Sequence, residues 1–327
     1  MPHARSIANL PRAALAACLA LGVSAGCKAP VVRTQRDVAQ QATREQDWKL
    51  AARLWRAQFQ AGGPLAAEAC LEGARAEREL GRPDEARELL DRGLESFALD
   101  AALWEERGNV LDELGFRRAA EHSYTRALEL EPERLSALLE RAEIRLQLGL
   151  ASAARKDLEA CLQRGLDGSR VWVAYARSLV ALGEARSAFD AYARGFEQGP
   201  VESASLIGAA ALYLGGALNP ARPRDRERVA AWLNIVAARE PQNALAHHWL
   251  GLLAKESGAV PEAEACFERA LAADPTHLPT LEHLARIAFE RGDRERADTL
   301  ARRALELERD PARRKIFSGW LASPSGG

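Results

Sequence analysis

The chain has 327 residues, 47% of them hydrophobic and 28% charged, with 45 basic residues against 46 acidic ones. That is the composition of an ordinary folded soluble body, and its net charge of −1 leaves no electrostatic footprint for nucleic acid or for an anionic membrane surface. No long Val/Ile/Thr run with period two occurs, so strands are not expected.

The first 12 residues carry Arg5 and Arg12 and no acid, and residues 13–23 are a run of eleven apolar or small residues. Such a run reads as a signal-peptide core and is too short to span a bilayer. Val23-Ser24-Ala25-Gly26 places small residues directly before Cys27 and resembles a bacterial lipoprotein box, with serine where that box prefers leucine. The resemblance implies removal of 1–26, lipidation of Cys27 and a tether over 27–36. The nine residues after Cys27 reach at most about 30 Å. Ordinary secretion after Val23-Ser24-Ala25 is the alternative, and a chance match in a cytosolic chain is a third. Three cysteines follow the leader, Cys70, Cys161 and Cys266, each at a packing position. None forms a C-x-x-C pair, which argues against a disulfide framework.

Residues 37–63 read as a degenerate helical unit, with Trp48, Ala51, Ala52 and Trp55 at helical spacing and a break at Gly62-Gly63-Pro64. A regular array then begins. Gly81, Gly115, Gly149 and Gly183 stand 34 residues apart, and Gly258 and Gly292 repeat the spacing after one interruption. Seven units follow: 67–100, 101–134, 135–168, 169–202, 203–243, 244–277 and 278–311. Length alone would suggest two domains, but a repeat array is one body in which each unit buries its face on its neighbours.

Within each unit the columns recur. The eighth position is Ala or Gly in all seven, including Gly108 and Gly251. Tyr124, Tyr192, Leu233 and Phe267 fill the twenty-fourth. Small residues at fixed places imply close approach of two helices. The glycine between two apolar runs suits the left-handed residue that ends a helix. Pro132, Pro200, Pro241 and Pro275 close the second helix.

On these columns the chain resembles a tetratricopeptide repeat (TPR) protein. Unit 101–134 has Trp104, Gly108, Leu111, Gly115, Ala120, Tyr124, Ala127 and Pro132 at the family's positions; unit 244–277 has Leu250, Gly251, Gly258, Ala263, Phe267, Ala270 and Pro275. The resemblance implies an all-α fold, a right-handed α-solenoid of stacked antiparallel helix pairs with a concave groove. It implies binding and no reaction.

Two segments depart from the period. Unit 203–243 is seven residues longer, and the excess is expected between its helices over 215–228, with Arg222, Arg224, Arg226 and Arg228 beside Asp225 and Glu227. It reads as a tolerated loop insertion or as a partner-contacting loop. Residues 312–321 carry Ile316, Phe317, Trp320 and Leu321. They are expected to form a helix that caps the array, with a basic membrane-surface segment as the alternative. Residues 322–327 are expected to be disordered.

No phosphate-binding loop, no G-x-S-x-G and no H-E-x-x-H occurs, and the carboxylates alternate with arginines as on solvated helix faces. His248 and His283 could approach each other on the groove side, but no ligand set accompanies them, so no metal and no cofactor are expected. The groove is the better candidate. In the family its wall is formed by positions 2, 5, 6, 9, 12 and 13 of the first helices. This resemblance assigns the partner-binding groove to Glu105, Asn109, Glu143, Val173, Arg177, Val180, Ile207, Leu214, His248, Trp249 and Arg286: an acidic mouth leading to an apolar floor. Part of that apolar surface could instead be packing between neighbouring first helices. The lysine–asparagine clamp of one TPR subclass is absent, since its positions hold Leu71 and Arg75, then Glu105 and Asn109. The resemblance to envelope TPR lipoproteins implies a non-enzymatic scaffold. Its partners would be other envelope proteins or peptides, and its membrane contact would be made through lipid only. The expected place is the outer membrane facing the periplasm, with soluble export as the alternative. An accessory role in envelope polysaccharide synthesis or export is the alternative function.

Overall fold

The computed structural model describes residues 34–218 and 222–322. The expected leader, Cys27 and the tail beyond Ala322 lie outside them. All regular structure among the described residues is helical. The chain divides at Gly81 into two compact units, a boundary that falls inside the stretch 67–100.

The first unit contains α1 (Gln35–Arg44), α2 (Trp48–Ala61) and α3 (Ala66–Glu79). Thr34 and Asp37 form a capping box at the start of α1. Asp47 accepts from the Leu50 amide at 3.1 Å and caps α2. Trp55 is buried among Ala39, Ala42, Ala51, Ala52, Ala69 and Ala76. Its indole N–H donates to Thr43 at 3.1 Å. One large side chain among small ones lets three helices approach closely.

The second unit opens with α4 (Pro83–Ser96). Six helix pairs follow: α5 (Ala101–Glu113) with α6 (Arg117–Leu130), α7 (Leu135–Gln147) with α8 (Ala151–Gln163), α9 (Ser169–Ala181) with α10 (Ala185–Gln198), α11 (Ser203–Leu214) with α12 (Pro223–Arg239), α13 (Ala244–Glu256) with α14 (Val260–Ala273), and α15 (Leu278–Glu290) with α16 (Arg294–Leu307). It ends with α17 (Pro311–Ala322). Each helix packs chiefly on its neighbours in sequence, and α7 also touches α5 and α9, the first helices on either side of it. This is an α-solenoid.

The glycine column has a direct cause. Gly115, Gly149, Gly183, Gly258 and Gly292 all have φ between +76° and +80°. After each glycine the next amide reaches back to close the helix: Phe116 N–H to Leu111 O at 2.8 Å, Leu150 to Arg145 at 2.7 Å, Glu184 to Leu179 at 2.9 Å. That is a Schellman ending, which needs a left-handed residue. The eighth-position column is steric. A Cβ built on Gly108 would lie 2.6 Å from the Tyr124 ring, and one on Gly251 would lie 2.5 Å from the Phe267 ring.

Polar rungs join successive repeats. Arg107 donates to Asp91 at 2.7 Å, Arg141 to Thr125 at 3.2 Å and Tyr175 to Glu159 at 3.4 Å. In each rung a first-helix residue reaches sixteen positions back to the preceding second helix. Asp157, nearly buried, is held by Arg141 and Arg145 together, and Arg145 also grips Glu121.

The insertion is placed differently from the sequence expectation. Helix α12 starts at Pro223, inside the expected loop, and takes in most of the arginines. Asp225 is 1% exposed. It accepts from the Arg222 amide at 2.8 Å and from Arg186 at 2.7 Å. Arg226 donates to the Leu253 carbonyl, Arg222 to Asp190, and Leu218 is buried in the central core. Local helix capping and tertiary ion pairs turn the segment into part of the fold. At the other end Phe317 of α17 is buried against Leu281 and Ala304. Cys70 and Cys161 are buried and Cys266 is half-buried. Burial pushes Cys161 up to about 11. No helix among the described residues is long and apolar enough to cross a membrane.

Candidate functional site

The first helices of successive pairs form one wall of the second unit. At its N-terminal end the wall is acidic but largely paired internally. Glu105 accepts from Arg134 at 2.9 Å. Glu106 is buried and accepts from the Asn109 amide at 3.1 Å, while the Asn109 carbonyl accepts from the Tyr124 hydroxyl at 2.9 Å. Asn109 therefore supports the wall from within. Arg170 bridges Glu140, at 2.8 Å, and Glu143, at 2.7 Å. Asp112 keeps its carboxyl above the ordinary range, first through burial, with Arg117 opposing and Glu140 and Glu113 adding repulsion.

A cleft of about 430 Å³ opens beside this cluster. One side is a face of α9 carrying Ser169, Arg170, Val173, Ala174 and Arg177, with Glu143 of α7 next to it. The other side is Pro200, Val201, Glu202 and Ser205, the link into α11 and its first turn. Arg239 of α12 donates to the Val201 carbonyl at 2.6 Å and fixes that link. Neither α9 nor α11 has a side-chain cap at its N-terminus. The volume falls in the range of ordinary ligand sites. Glu143, Val173 and Arg177 of the expected groove meet here. Val180, one turn further along α9, is 42% exposed.

Models of the tetratricopeptide repeat match residues 67–110, 105–169 and 244–277. The chain is a tetratricopeptide repeat protein. Solved structures of TPR proteins share the fold. The C-terminal part of a TPR repeat-containing protein from Cytophaga hutchinsonii superposes with a TM-score of 0.60 at 15% identity, covering 77% of this chain and 99% of that one. PilF of Pseudomonas aeruginosa gives 0.53 at 20% identity, covering 65% and 93%. YrrB, described as a TPR protein with an unusual peptide-binding site, gives 0.51 at 17% identity, covering 59% and 96%. Among curated proteins, the probable biofilm formation methyltransferase WspC of Pseudomonas aeruginosa is 40% identical over 81 residues, 25% of this chain. This chain spans 19% of that relative's length. TPR arrays bind protein or peptide partners, and the repeats make this chain an interaction scaffold.

The TPR frame shows why other expected groove residues stand elsewhere. Ile207, Leu214 and Trp249 are partly buried against the central core cluster, so much of their apolar surface is already covered. Arg286 is paired with Glu282 at 2.8 Å. His248 is a correction: it is 5% exposed, not a groove contact. Its Nδ1 lies 2.8 Å from the Thr280 hydroxyl, which also meets His277 Nδ1 at 2.6 Å. A hydroxyl has one proton, so at least one of these imidazoles donates to it. His283 stacks on Phe267 with 5.2 Å between ring centroids and lies 5.6 Å from His248. Burial pushes His248 down to about 3, with His277 and His283 adding to it. His283 falls to about 4 through burial, then Lys255 and Arg286, with Glu282 opposing. His277 is lowered by burial, with Asp274 opposing. These are neutral packing groups at the junction of two repeats. No cluster with metal-binding geometry occurs among the described residues.

The reason lies in the columns. Position five is buried at Leu139 and His248 and half-buried at Val173 and Ile207. Positions nine and twelve are more open: Arg177, Val180, Ala211 and Phe289 are exposed. Sequence reasoning missed the wall from Pro200 to Ser205. The signal available for it was Pro200, which ends α10 and sends the chain past the start of α9.

Proposed function

We propose that the chain is a non-enzymatic scaffold of a bacterial cell envelope, capturing partner proteins as extended peptides on the wall built by α7, α9 and α11. The observation that carries this reading is the cleft beside α9, where Arg177 stands exposed next to Val173 with no ion pair of its own among the described residues. Its polar lining is an ion pair, an arginine, one further carboxylate and two serine hydroxyls. No histidine or cysteine lines it. Such groups can hold a peptide but supply no activated nucleophile. An extended chain there could use both apolar contact and hydrogen bonds.

The envelope assignment rests on the sequence: the apolar leader and Cys27 support lipidation and attachment through lipid. By resemblance, Lys28 rather than aspartate after that cysteine favours the outer membrane, facing the periplasm. Metabolic labelling with a fatty acid tests the anchor. Label is expected on the wild type and not on Cys27→Ala, which should move to the soluble fraction. Equal labelling of both, or of neither, would contradict the anchor. Binding is tested by crosslinking and capture from membranes, comparing wild type with Val173→Asp. Loss of discrete partners in the variant is expected, and an unchanged set would place binding elsewhere.

A further inference from the structure

Arg177 differs from the arginines around it. Arg170 is held by Glu140 and Glu143, and Arg186 by Asp225. Arg177 is exposed and lines the cleft, and no described carboxylate forms an ion pair with it. Glu143 and Glu202 line the same cleft without pairing with it, and Val173 and Ala174 beside it are apolar. We propose that the cleft recognises an acidic side chain inside an extended apolar segment of a partner protein, with Arg177 as the ion-pairing group and Val173 and Val180 receiving the residues on either side. This rests on the peptide-binding reading above.

Register and length follow from α9. Ser169, Val173, Arg177 and Val180 stand on successive turns of one face, so Ser169 to Arg177 spans about 12 Å at 1.5 Å per residue. That is the length of three or four extended residues. A planar guanidinium can take a carboxylate in a fork and discriminates it from a neutral amide. The uncapped starts of α9 and α11 add partial positive charge at the far end. Glu202 offsets it there, and Glu143 is already neutralised by Arg170. The net preference for an anion therefore falls at Arg177 alone, which calls for one acid rather than a run of them. The apolar face continues past Arg177 to the exposed Val180, so a bound segment gains contact on both sides of its acid. This favours an internal aspartate or glutamate over a chain terminus.

The test uses the full chain and an array of end-blocked nonapeptides. Each has a central glutamate, glutamine or lysine, flanked by valines or by serines, and binding is read by fluorescence anisotropy. The valine-flanked glutamate peptides should bind about tenfold more tightly than their glutamine counterparts. Arg177→Gln should abolish that preference without changing the circular dichroism spectrum. Val173→Ser, which adds no charge beside Arg177, should weaken the glutamate and glutamine peptides alike. Equal binding of glutamate and glutamine peptides, retention of the preference in Arg177→Gln, or no binding by any peptide would overturn the proposal. A free C-terminal carboxylate after valine that outcompetes the internal glutamate would overturn it too, in favour of a chain end. If membrane partners are captured in a Val173-dependent way while Arg177→Gln captures them equally, the scaffold reading stands and only the acidic specificity falls.

Discussion

Gly108 and Tyr124 illustrate how one residue fixes a repeat. The ring occupies the space a Cβ would need, so even alanine at 108 forces a shift, and Gly108→Leu should destabilise the unit by about 1–3 kcal/mol or more. Urea unfolding measures this, and Gly108→Leu combined with Tyr124→Ala should recover part of the loss because the ring is gone. The buried histidines give a pH prediction. His248, near 3, and His283, near 4, bind fewer protons folded than in the unfolded chain, where an imidazole titrates near 6.5. Stability therefore rises with pH between about 3 and 6.5 and is lost as pH falls through that window. The groups facing the pair are His277, Lys255, Arg286 and Glu282, and of these only Glu282 opposes the effect. His248→Gln should flatten the dependence of Tm on pH; an unchanged slope would show that the imidazole is not the titrating group. The glycine and aromatic columns were legible in the sequence because backbone handedness and volume act locally. His248 was not, because its burial depends on Thr280 and Phe267 from elsewhere in the chain.

At the scale of elements, the pair α7–α8 is held by a charge network as well as by its apolar column. Asp157 stands between Arg141 and Arg145, with side chains only 6%, 14% and 16% exposed. Removing the shared carboxylate leaves two guanidiniums facing each other, so Asp157→Ala should cost about 3 kcal/mol or more. Glu121→Ala, which removes a more exposed partner, should cost about 1 kcal/mol or less. Chemical denaturation of the two variants gives the comparison, and equal losses would contradict the network. The sequence showed these charges as alternating acids and arginines on a solvated face. Their rungs were hidden because each arginine reaches second helices on both sides, Asp157 on α8 and Thr125 or Glu121 on α6, at spacings that helical periodicity does not display. The inserted segment was misread for a related reason. Its arginines look like a loop, yet Asp225 caps α12 and binds Arg186, so capping and a tertiary ion pair decide the boundary.

Across the whole second unit, coupling runs between neighbours, because each helix packs chiefly on the helices adjacent to it. Hydrogen exchange in Gly108→Leu should accelerate in α4 to α8 and leave α13 to α16 near wild type. The same architecture leaves positions nine and twelve of the first helices as the open surface, with Arg177 and Val180 its most accessible members over α9. Ile207, buried in part against the core, would report on folding as much as on binding if changed. Val180 and the exposed Glu88 on α4 make the cleaner contrast. The most direct measurement is site-specific photocrosslinking in membranes, with a photoreactive amino acid at position 180 or at position 88. A discrete adduct from position 180, lost when Val173→Asp is added, and none from position 88 is the predicted result. Adducts from position 88 with none from position 180 would contradict the assignment of this wall as the binding surface.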